Sequence, residues 1–434
     1  MNIKRMISVS FFLSMWLFSL PNAFSMSLLV NTEKTLEENT LNLLVQQFLI
    51  STDKDQSASF LAEILKHKEA SIENLEILIK TGRLYPPEPF VGSLHRDINI
   101  DGNALSYALY VPKSYNPSIS YPLIVCLHGA GFVGDTYLER WEKRLEEGAI
   151  LVCPTIGGGA WWSPLGEALV LETIAEVESK YHVDPNRIIL TGMSNGGIGA
   201  YLVGIFHADR FAAISPMASG IPDEIFAFLK NFSMTGIYII HGEKDQVMPV
   251  SLSRKVSKYL KKERISHVYR EHDREHRMAG GHFFPREELP ALIKWLKVQR
   301  KMVDPAHIIS VRDKSHASPF FWTEINKTMG EIADVQKSLF DQDEIDLVKA
   351  GAFAILTAEV NENHISVMSE RVKRYTLFLN NRLIDFSQPL IISTNGKKSF
   401  EGRLSESRTF LLEESKRRQD RSAFYSASVT IDLQ

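Results

Sequence analysis

Residues 187–207 read RIILTGMSNGGIGAYLVGIFH, and this stretch decides the fold class of the chain. Its first part, Arg187–Thr191, is an apolar run that predicts a buried strand, and Ile198–His207 has the composition of a helix. Ser194 stands between them in the pattern Gly-Met-Ser-Asn-Gly. A serine on a tight strand-to-helix turn needs small neighbours, because the strained backbone crowds the sheet edge. The context makes Ser194 a candidate nucleophile. The five residues alone would also fit a glycine-rich turn with an incidental serine.

Short apolar runs recur on both sides of this stretch and alternate with helical patterns. The runs are Leu123–Leu127, Ile150–Cys153, Ile188–Leu190, Phe211–Ile214 and Ile237–Ile240. Such runs are typical of parallel strands that are buried on both faces. Segments between them, such as Glu167–Tyr181, repeat apolar residues at helical spacing. Strand–helix alternation over about 200 residues predicts an α/β sheet with helices on both faces.

The composition limits the classes of protein that this chain can be. Its 434 residues allow two or three domains, and a formal net charge of −3 argues against binding nucleic acid through bulk charge. A charged fraction of 23 % is that of a globular protein rather than a disordered one. Cys126 and Cys153 are too few for a disulfide scaffold or a thiolate metal cluster. They fall on strands that should be neighbours, and we expect free thiols there rather than a disulfide.

The first 25 residues have the pattern of a secretory signal peptide. Lys4 and Arg5 form a basic start, Met6–Leu20 is mainly apolar, and Ala23-Phe24-Ser25 is typical of a cleavage site. The apolar run is shorter than the ~20 residues that span a bilayer. We therefore expect cleavage and export to the periplasm or the medium, with no stable membrane anchor left on the mature chain.

Changes of periodicity divide the rest of the chain into three parts. Residues 26–83 have helical spacing and no polar group suggestive of chemistry, so a packing element is expected there. Residues 84–302 contain the strand–helix alternation. Residues 303–434 contain short strands and are interpreted as a separate, mainly β domain.

Several turn signals predict how this last domain is connected. His307–Val311 and Phe320–Ile325 predict a hairpin around Lys314-Ser315, and Asn395-Gly396 predicts a tight turn between two later strands. Glu406–Arg418 is predicted to be a charged helix. None of these segments contains a nucleophile or a cluster of metal ligands.

A serine nucleophile needs a base that is oriented by an acid, and in this architecture the acid comes before the base in the sequence. His241–Pro249 follows the predicted strand Ile237–Ile240 and offers Glu243 and Asp245. The two carboxylates compete for the role. Asp245 is favoured because it lies deeper in the loop, whereas Glu243 fits a solvated turn.

The base has many candidates, since the chain contains 13 histidines. His272 and His276 lie in a charged run and are interpreted as solvated surface residues. His282 follows Gly280-Gly281 and precedes the predicted closing helix. A histidine on such a flexible turn can reach the sheet edge, so His282 is the preferred base.

Acyl transfer also needs hydrogen-bond donors for the oxyanion. The run Leu123–Leu127 ends in His128-Gly129-Ala130-Gly131, a loop of small residues whose amides can point inward. We expect one donor from the N–H of Ala130 and the other from the N–H of Asn195. His128 itself is interpreted as structural.

A glycine-rich loop with two tryptophans follows another strand at the same edge. In Gly157–Trp162, the tryptophans either pack against the next helix or present an aromatic wall to a substrate, and we prefer Trp162 as a pocket wall. No Lys-Ser/Thr follows the glycines, which excludes a phosphate loop.

Residues 90–302 resemble secreted α/β-hydrolases of the esterase type, a group that includes polyhydroxyalkanoate depolymerases and feruloyl esterases. The matching segments are Tyr107–Val111, Tyr121–Gly131, Val183–Arg187, Gly192–Gly197, His241–Pro249 and Gly281-His282. The resemblance covers about half of the chain. It implies an α/β-hydrolase fold and places the acid of the triad at Asp245.

The same region also resembles the catalytic domains of prolyl-oligopeptidase-like enzymes. Those domains usually follow a large β-propeller, and the ~60 residues between the leader and this domain are too few to build one. Residues 375–404 resemble β domains that are appended to some bacterial esterases and peptidases. That likeness implies no ligand.

The resemblance and the candidate residues together predict a secreted serine hydrolase that acts on carboxylic esters. Ser194, Asp245 and His282 would form its triad, with no metal and no organic cofactor. A small or polymeric ester is the expected partner, and nucleic acid is not. A serine peptidase with the same triad and a non-catalytic protein that binds through its β domain are the two alternatives.

Overall fold

The structure is a computed structural model that describes residues 40–433 except 87–88, 146, 317–318 and 340. The predicted signal peptide and the start of the 26–83 segment lie outside these residues. Within this part of the chain, every helix is too short or too polar to cross a membrane.

An eight-stranded sheet organises the residues around Ser194. Its strands are β1 Gly92–Ile100, β2 Asn103–Val111, β3 Tyr121–Leu127, β4 Ile150–Thr155, β5 Val183–Met193, β6 Ala213–Met217, β7 Gly236–Gly242 and β8 Val268–His272. They lie in the order β1-β2-β4-β3-β5-β6-β7-β8. β2 is antiparallel to both neighbours, and the strands from β4 to β8 are parallel. This is the α/β-hydrolase fold that the resemblance predicts.

The sequence located all but one of the strands from β3 to β8. The missed strand is β8, an edge strand whose residues before His272 are partly or fully exposed. An exposed edge strand has no continuous apolar run, which is why the pattern did not reveal it. β6 begins two residues later than the predicted run Phe211–Ile214.

Helices cover both faces of this sheet, and alternate residues of each strand contribute to two cores. In β3, Leu123 and Val125 belong to one hydrophobic cluster, whereas Ile124 and Cys126 belong to the other. This alternation follows from the period of two in a strand. The flanking helices are α4 Gly134–Leu145, α5 Pro164–Lys180, α6 Asn195–Phe206, α7 Ser251–Lys262 and α8 Leu289–Leu296. Cys126 and Cys153 are buried free thiols, as expected.

The C-terminal region contains two further sheets. Its strands are β9 His307–Arg312, β10 Thr323–Thr328, β11 Ala354–Asn361, β12 His364–Glu370, β13 Val372–Leu379, β14 Leu390–Thr394, β15 Lys397–Gly402 and β16 Ala427–Asp432. One sheet has the order β15-β14-β12-β11-β9, and the other β10-β13-β16. Asn395-Gly396 connects β14 to β15 in an antiparallel pair, which confirms the predicted turn. The region also contains helices α9 Gln342–Lys349 and α10 Arg408–Arg418.

The predicted hairpin of β9 with β10 is wrong. β9 pairs with β11, and β10 pairs with β13 in the other sheet. The connecting segment is held by Asp313, whose carboxylate accepts hydrogen bonds from the N–H groups of His316 and Val335 at 3.0 and 2.9 Å. These contacts direct the chain along the α/β domain instead of back along β9.

The N-terminal helices pack on the C-terminal region. They are α1, residues 40–50, α2 Lys54–Lys66 and α3 Ile72–Thr81. Their buried faces, including Leu41 and Leu75, form one cluster with Leu411 and Leu412 of α10. The first and last parts of the described chain therefore share a core.

The C-terminal region is closely packed against the α/β domain. Asn231 forms two hydrogen bonds with the backbone of Val311 in β9, at 2.7 and 3.0 Å. The rings of Phe206 and His316 stack with their centroids 3.5 Å apart. One hydrophobic cluster contains residues from both sides of residue 302. The boundary there stays a prediction.

Candidate active site

Ser194 occupies the turn between β5 and α6. Its backbone angles are φ 57° and ψ −121°, a strained conformation for a residue with a side chain. The Ser194 N–H donates to the carbonyl of Met217 at 2.9 Å. The neighbouring strand β6 therefore fixes the turn that carries the serine.

Gly192 and Gly196, on each side of Ser194, leave no room for a side chain. A Cβ atom on Gly192 would lie 2.2 Å from the carbonyl oxygen of Gly196, and one on Gly196 would lie 2.1 Å from that of Leu127. Neither contact can be relieved by a side-chain movement, because both involve backbone atoms. The predicted need for small residues at this turn is confirmed.

His282 lies between Ser194 and Asp245. Its Nε2 atom is 3.0 Å from Oγ of Ser194, and its Nδ1 atom is 2.7 Å from Oδ2 of Asp245. An ionised carboxylate only accepts, so Nδ1 carries a proton, which leaves the lone pair of Nε2 to accept the serine proton. The side chain of His282 is 12 % exposed.

Asp245 is held in one orientation by backbone and side-chain donors. Its Oδ1 atom accepts hydrogen bonds from the N–H groups of Val247 and Met248 at 2.8 and 2.7 Å. Burial by itself would raise the pKa of Asp245. Hydrogen bonds from His241, His282 and these two N–H groups outweigh burial and hold the pKa well below its usual range. Asp245 is therefore ionised beside His282.

The loops that carry the histidine and the acid pack directly on each other. The Gly281 N–H donates to the carbonyl of Lys244 at 2.9 Å. A Cβ atom on Gly281 would lie 2.8 Å from the amide nitrogen of Asp245. The glycine before His282 thus permits the close approach that brings the imidazole to the carboxylate.

The other candidates for the acid and the base were Glu243, His276 and His272. Glu243 is exposed, as is His276. His272, which the sequence analysis placed on the solvated surface, is buried at 6 % exposure, so that prediction is wrong. It ends the unpredicted strand β8, and its ring lies 5.2 Å from that of Phe283.

The loop after β3 passes close to the serine. A Cβ atom on Gly129 would lie 3.5 Å from Cβ of Ser194. Ala130, the next residue, is exposed, and Asn195 is the first residue of α6. Both predicted oxyanion donors therefore belong to segments that adjoin Ser194.

His128 has a structural role, as predicted. It is buried, its Nδ1 atom lies 2.9 Å from the carbonyl of Gly129, and its Nε2 accepts from the N–H of Ile156 at 3.2 Å. Burial lowers its pKa, which favours the neutral ring.

The two tryptophans have different environments. Trp161 is fully buried and donates from Nε1 to the carbonyl of His128 at 2.9 Å. Trp162 lines an apolar cavity of about 210 Å³ between the α/β domain and the C-terminal region. The other apolar residues of its lining are Leu202, Phe206, Pro222, Ile225, Val335, Ile345 and Val348. Among the described residues, the triad candidates do not line this cavity.

A second histidine, His241, also contacts Asp245. Its Nε2 atom lies 3.3 Å from Oδ2 of Asp245, and both side chains are fully buried. His241 was not among the predicted site residues. A signal was present, because His241 is the penultimate residue of β7, only four residues before Asp245. Within the described residues, no group of His, Cys, Asp or Glu side chains is arranged to hold a metal ion.

Comparison with known proteins agrees with this fold and with the esterase resemblance. Residues 167–299, which include Ser194, Asp245 and His282, match the family model described as phospholipase/carboxylesterase. The chain is 32 % identical over 162 residues to a probable feruloyl esterase C of Aspergillus terreus, covering 35 % of this chain and 58 % of that protein. It is 29 % identical over 158 residues to feruloyl esterase C of Emericella nidulans, covering 34 % and 57 %.

A solved thermostable esterase is 27 % identical to this chain, with a TM-score of 0.42, and the match covers 48 % of this chain and 63 % of that one. The chain spans less than three fifths of the length of the two curated relatives. Its α/β domain is similar to esterases of the α/β-hydrolase group.

Proposed function

We propose that this chain is an exported serine hydrolase that cleaves carboxylic esters through Ser194, His282 and Asp245. One observation carries the proposal. His282 links the other two residues, with 2.7 Å to the carboxylate on one side and 3.0 Å to the hydroxyl on the other. A serine hydroxyl becomes a nucleophile only beside a base that a third group orients, and the geometry supports that role for His282.

Acylation follows from these positions. Oγ of Ser194 attacks the ester carbonyl carbon while Nε2 of His282 removes the serine proton. The imidazolium that forms is stabilised by the ionised Asp245. When the tetrahedral intermediate collapses, Nε2 returns the proton to the leaving alcohol, and the acyl group remains on Ser194.

Deacylation repeats the sequence with water as the nucleophile. His282 removes a proton from the water molecule, which attacks the acyl carbon, and Ser194 leaves with that proton. In both halves negative charge develops on the carbonyl oxygen. We assign its stabilisation to the N–H groups of Ala130 and Asn195, where loss of one donor typically costs about 10²–10³ in turnover.

The substrate class rests on similarity and on the access to the site. The curated relatives are feruloyl esterases, which favours esters of aromatic acids for this chain. The segment between β6 and β7 holds only the short 3₁₀ segment Asp223–Met234 rather than a large lid. The absence of a large lid in this segment favours a bulky or polymeric ester as the substrate.

Labelling with a fluorophosphonate probe tests the nucleophile. We expect the wild-type protein to be labelled and Ser194→Ala to be unlabelled, while Ser118→Ala, a change at an exposed serine, keeps full labelling. Equal labelling of wild type and Ser194→Ala would refute the assignment.

A substrate panel separates the ester function from its alternatives. The panel contains aryl esters of increasing chain length, feruloyl esters, acetylated sugars and aminoacyl-proline amides. Turnover of the esters with little turnover of the amides supports an esterase, and the reverse supports a serine peptidase. A protein that binds these compounds but turns over none of them would be the non-catalytic alternative.

Expression of the full chain, followed by N-terminal sequencing of the exported product, tests cleavage of the predicted signal peptide after Ser25.

A further inference from the structure

His241 is a buried titratable residue that the proposed mechanism does not use. It is the penultimate residue of β7, its side chain is fully buried, and each ring nitrogen has polar neighbours within 3.3 Å. The protons on the ring follow from what those neighbours can donate or accept.

The Nδ1 side of the ring faces Ser253, whose hydroxyl proton is donated to another group. Oγ of Ser253 lies 2.7 Å from Nδ1 of His241 and also 2.7 Å from the carbonyl oxygen of Ser219. A hydroxyl has one proton, and a carbonyl can only accept. Ser253 therefore donates to Ser219, and Nδ1 of His241 must donate to Ser253.

The Nε2 side of the ring faces two acceptors. The carbonyl oxygen of Met248 lies 2.8 Å from Nε2, and Oδ2 of Asp245 lies 3.3 Å from it. Neither oxygen carries a proton, because the carboxylate of Asp245 is ionised. Nε2 must therefore also donate.

Neither neutral form of the ring satisfies this arrangement. A proton on Nδ1 alone leaves the lone pair of Nε2 against the oxygen of Met248. A proton on Nε2 alone requires Ser253 to donate to Nδ1, which leaves two oxygens 2.7 Å apart without a proton between them. An unmade hydrogen bond in a buried site is costly, so the ring is protonated on both nitrogens.

We propose that His241 is a buried imidazolium that acts as a positioning residue for Asp245, an inference that rests on the proposed function. A buried cation needs a partner, and Asp245 supplies one. The cation in turn keeps Asp245 ionised and fixes Oδ2 where His282 meets it.

The network also connects the acid to the segment that supports the nucleophile. Ser253 bonds to Ser219, two residues after Met217, whose carbonyl accepts from the N–H of Ser194. His241 therefore links the two loops that must keep a fixed distance for His282 to bridge them.

A second positive charge near the triad affects the base. The charged and titratable groups around His241 are Asp245, Glu271 on β8, His272 and, across Asp245, His282. Loss of a fixed positive charge there would make the electrostatic potential at His282 more negative.

Nuclear magnetic resonance of the full chain with ¹⁵N-labelled histidine tests the charge directly. The resonances of His241 are assigned by their loss in His241→Gln. We expect both ring nitrogens to carry protons at pH 7. A ring nitrogen without a proton would overturn the proposal. The measurement does not depend on catalysis, so its failure is distinct from the absence of esterase activity.

The kinetic test uses His241→Gln, which keeps donor and acceptor groups but carries no charge. We expect kcat to fall with KM within about twofold, and the acidic limb of the kcat/KM–pH profile to move up by about one pH unit. A folded variant with an unmoved limb would contradict the proposal. His276→Gln, at an exposed position, should leave the limb where it is.

Ser253→Ala provides a second route if His241→Gln does not fold. It removes the acceptor of Nδ1 and leaves His241 in place, so the limb should move in the same direction by a smaller amount. Ser251→Ala, at the exposed start of the same helix, is the matched control. An unmoved limb in folded Ser253→Ala would count against a charged His241.

Discussion

The Nε2 atom of His282 lies 3.0 Å from the Oγ atom of Ser194, although 88 positions separate the two residues in the sequence. Ser194 follows β5, and His282 lies in the loop after β8, three strands away in the sheet order. The carboxyl ends of parallel strands meet at one edge of a sheet, which is where ligands bind in open α/β folds. The distance is therefore a consequence of topology.

Gly196→Ala should inactivate the protein without any change to the triad side chains. Its Cβ atom would lie 2.1 Å from the carbonyl oxygen of Leu127, so the turn that carries Ser194 must move. A displacement of about 1 Å can cost 10² in rate, and we expect at least that loss in kcat. Gly157→Ala, whose Cβ meets no atom within 4 Å, is the matched control. Full activity of Gly196→Ala would show that the turn tolerates displacement.

Asp245→Asn should lower kcat by about 10⁴, as misorienting the base does in serine triads. The amide offers a donor where His282 needs an acceptor, so the ring loses the tautomer that leaves Nε2 free. Steady-state kinetics on an aryl ester measure the effect. Glu243→Gln, at an exposed position in the same loop, should stay near wild type. The reverse ranking would move the acid to Glu243.

His282→Ala should leave almost no turnover, because no other base lies within hydrogen-bond distance of Oγ of Ser194 among the described residues. His276→Ala, six residues earlier in the same loop and exposed, should behave like wild type. Burst kinetics with a chromogenic ester compare the two. Residual activity in His282→Ala comparable to that of His276→Ala would exclude His282 as the base.

We expect the free energy of unfolding to fall at alkaline pH because His316 loses its proton there. Burial alone would lower the pKa of His316, but the carboxylates of Asp313 and Glu167, at 2.6 and 3.1 Å, raise it to about 9. A histidine whose pKa is higher in the folded state stabilises that state fully below its ordinary pKa of about 6.5. That stabilisation, on the order of 3 kcal/mol, is lost as the pH rises through about 9.

Denaturant unfolding at a series of pH values measures this contribution. Because other groups also titrate above pH 8, the quantity compared is the difference between wild type and His316→Gln. We expect that difference to be largest near pH 6 and to shrink towards pH 10. His364→Gln, at an exposed histidine in the same region, should show no such trend. A difference that is constant with pH would mean that His316 is not charged in the folded protein.

Asn231→Ala should loosen the contact between the C-terminal region and the α/β domain. Asn231 is fully buried, exchanges two hydrogen bonds with the backbone of Val311, and donates to the carbonyl of Ile205 at 2.7 Å. Its removal leaves these backbone groups unsatisfied, at a cost of about 3 kcal/mol. Calorimetry should show a lower midpoint of thermal unfolding. Asn361→Ala, at an exposed position, should leave the midpoint unchanged.

The fold of the α/β domain and the three candidate triad residues could be predicted from the sequence. Each depends on a pattern that is local in the chain: apolar runs of strand length, glycines around Ser194, and loops that directly follow buried strands. Topology then brings the ends of parallel strands together without further information. For this reason Ser194, Asp245 and His282 could be placed at one edge before their distances were known.

The tertiary structure alone decided the features that depend on which distant segments meet. β8 and the burial of His272 were missed because an edge strand has no apolar run. The hairpin of β9 and β10 failed because Asp313 and His316 bind to residues of other segments. The protons on His241 are set by Ser253 of α7 and by the carbonyl of Met248, which contact the ring, and by the carbonyl of Ser219, which accepts the proton of Ser253. These three groups come from separate segments of the chain. Periodicity along the chain reports local structure, whereas the charge of a buried side chain depends on the donors and acceptors that folding places around it.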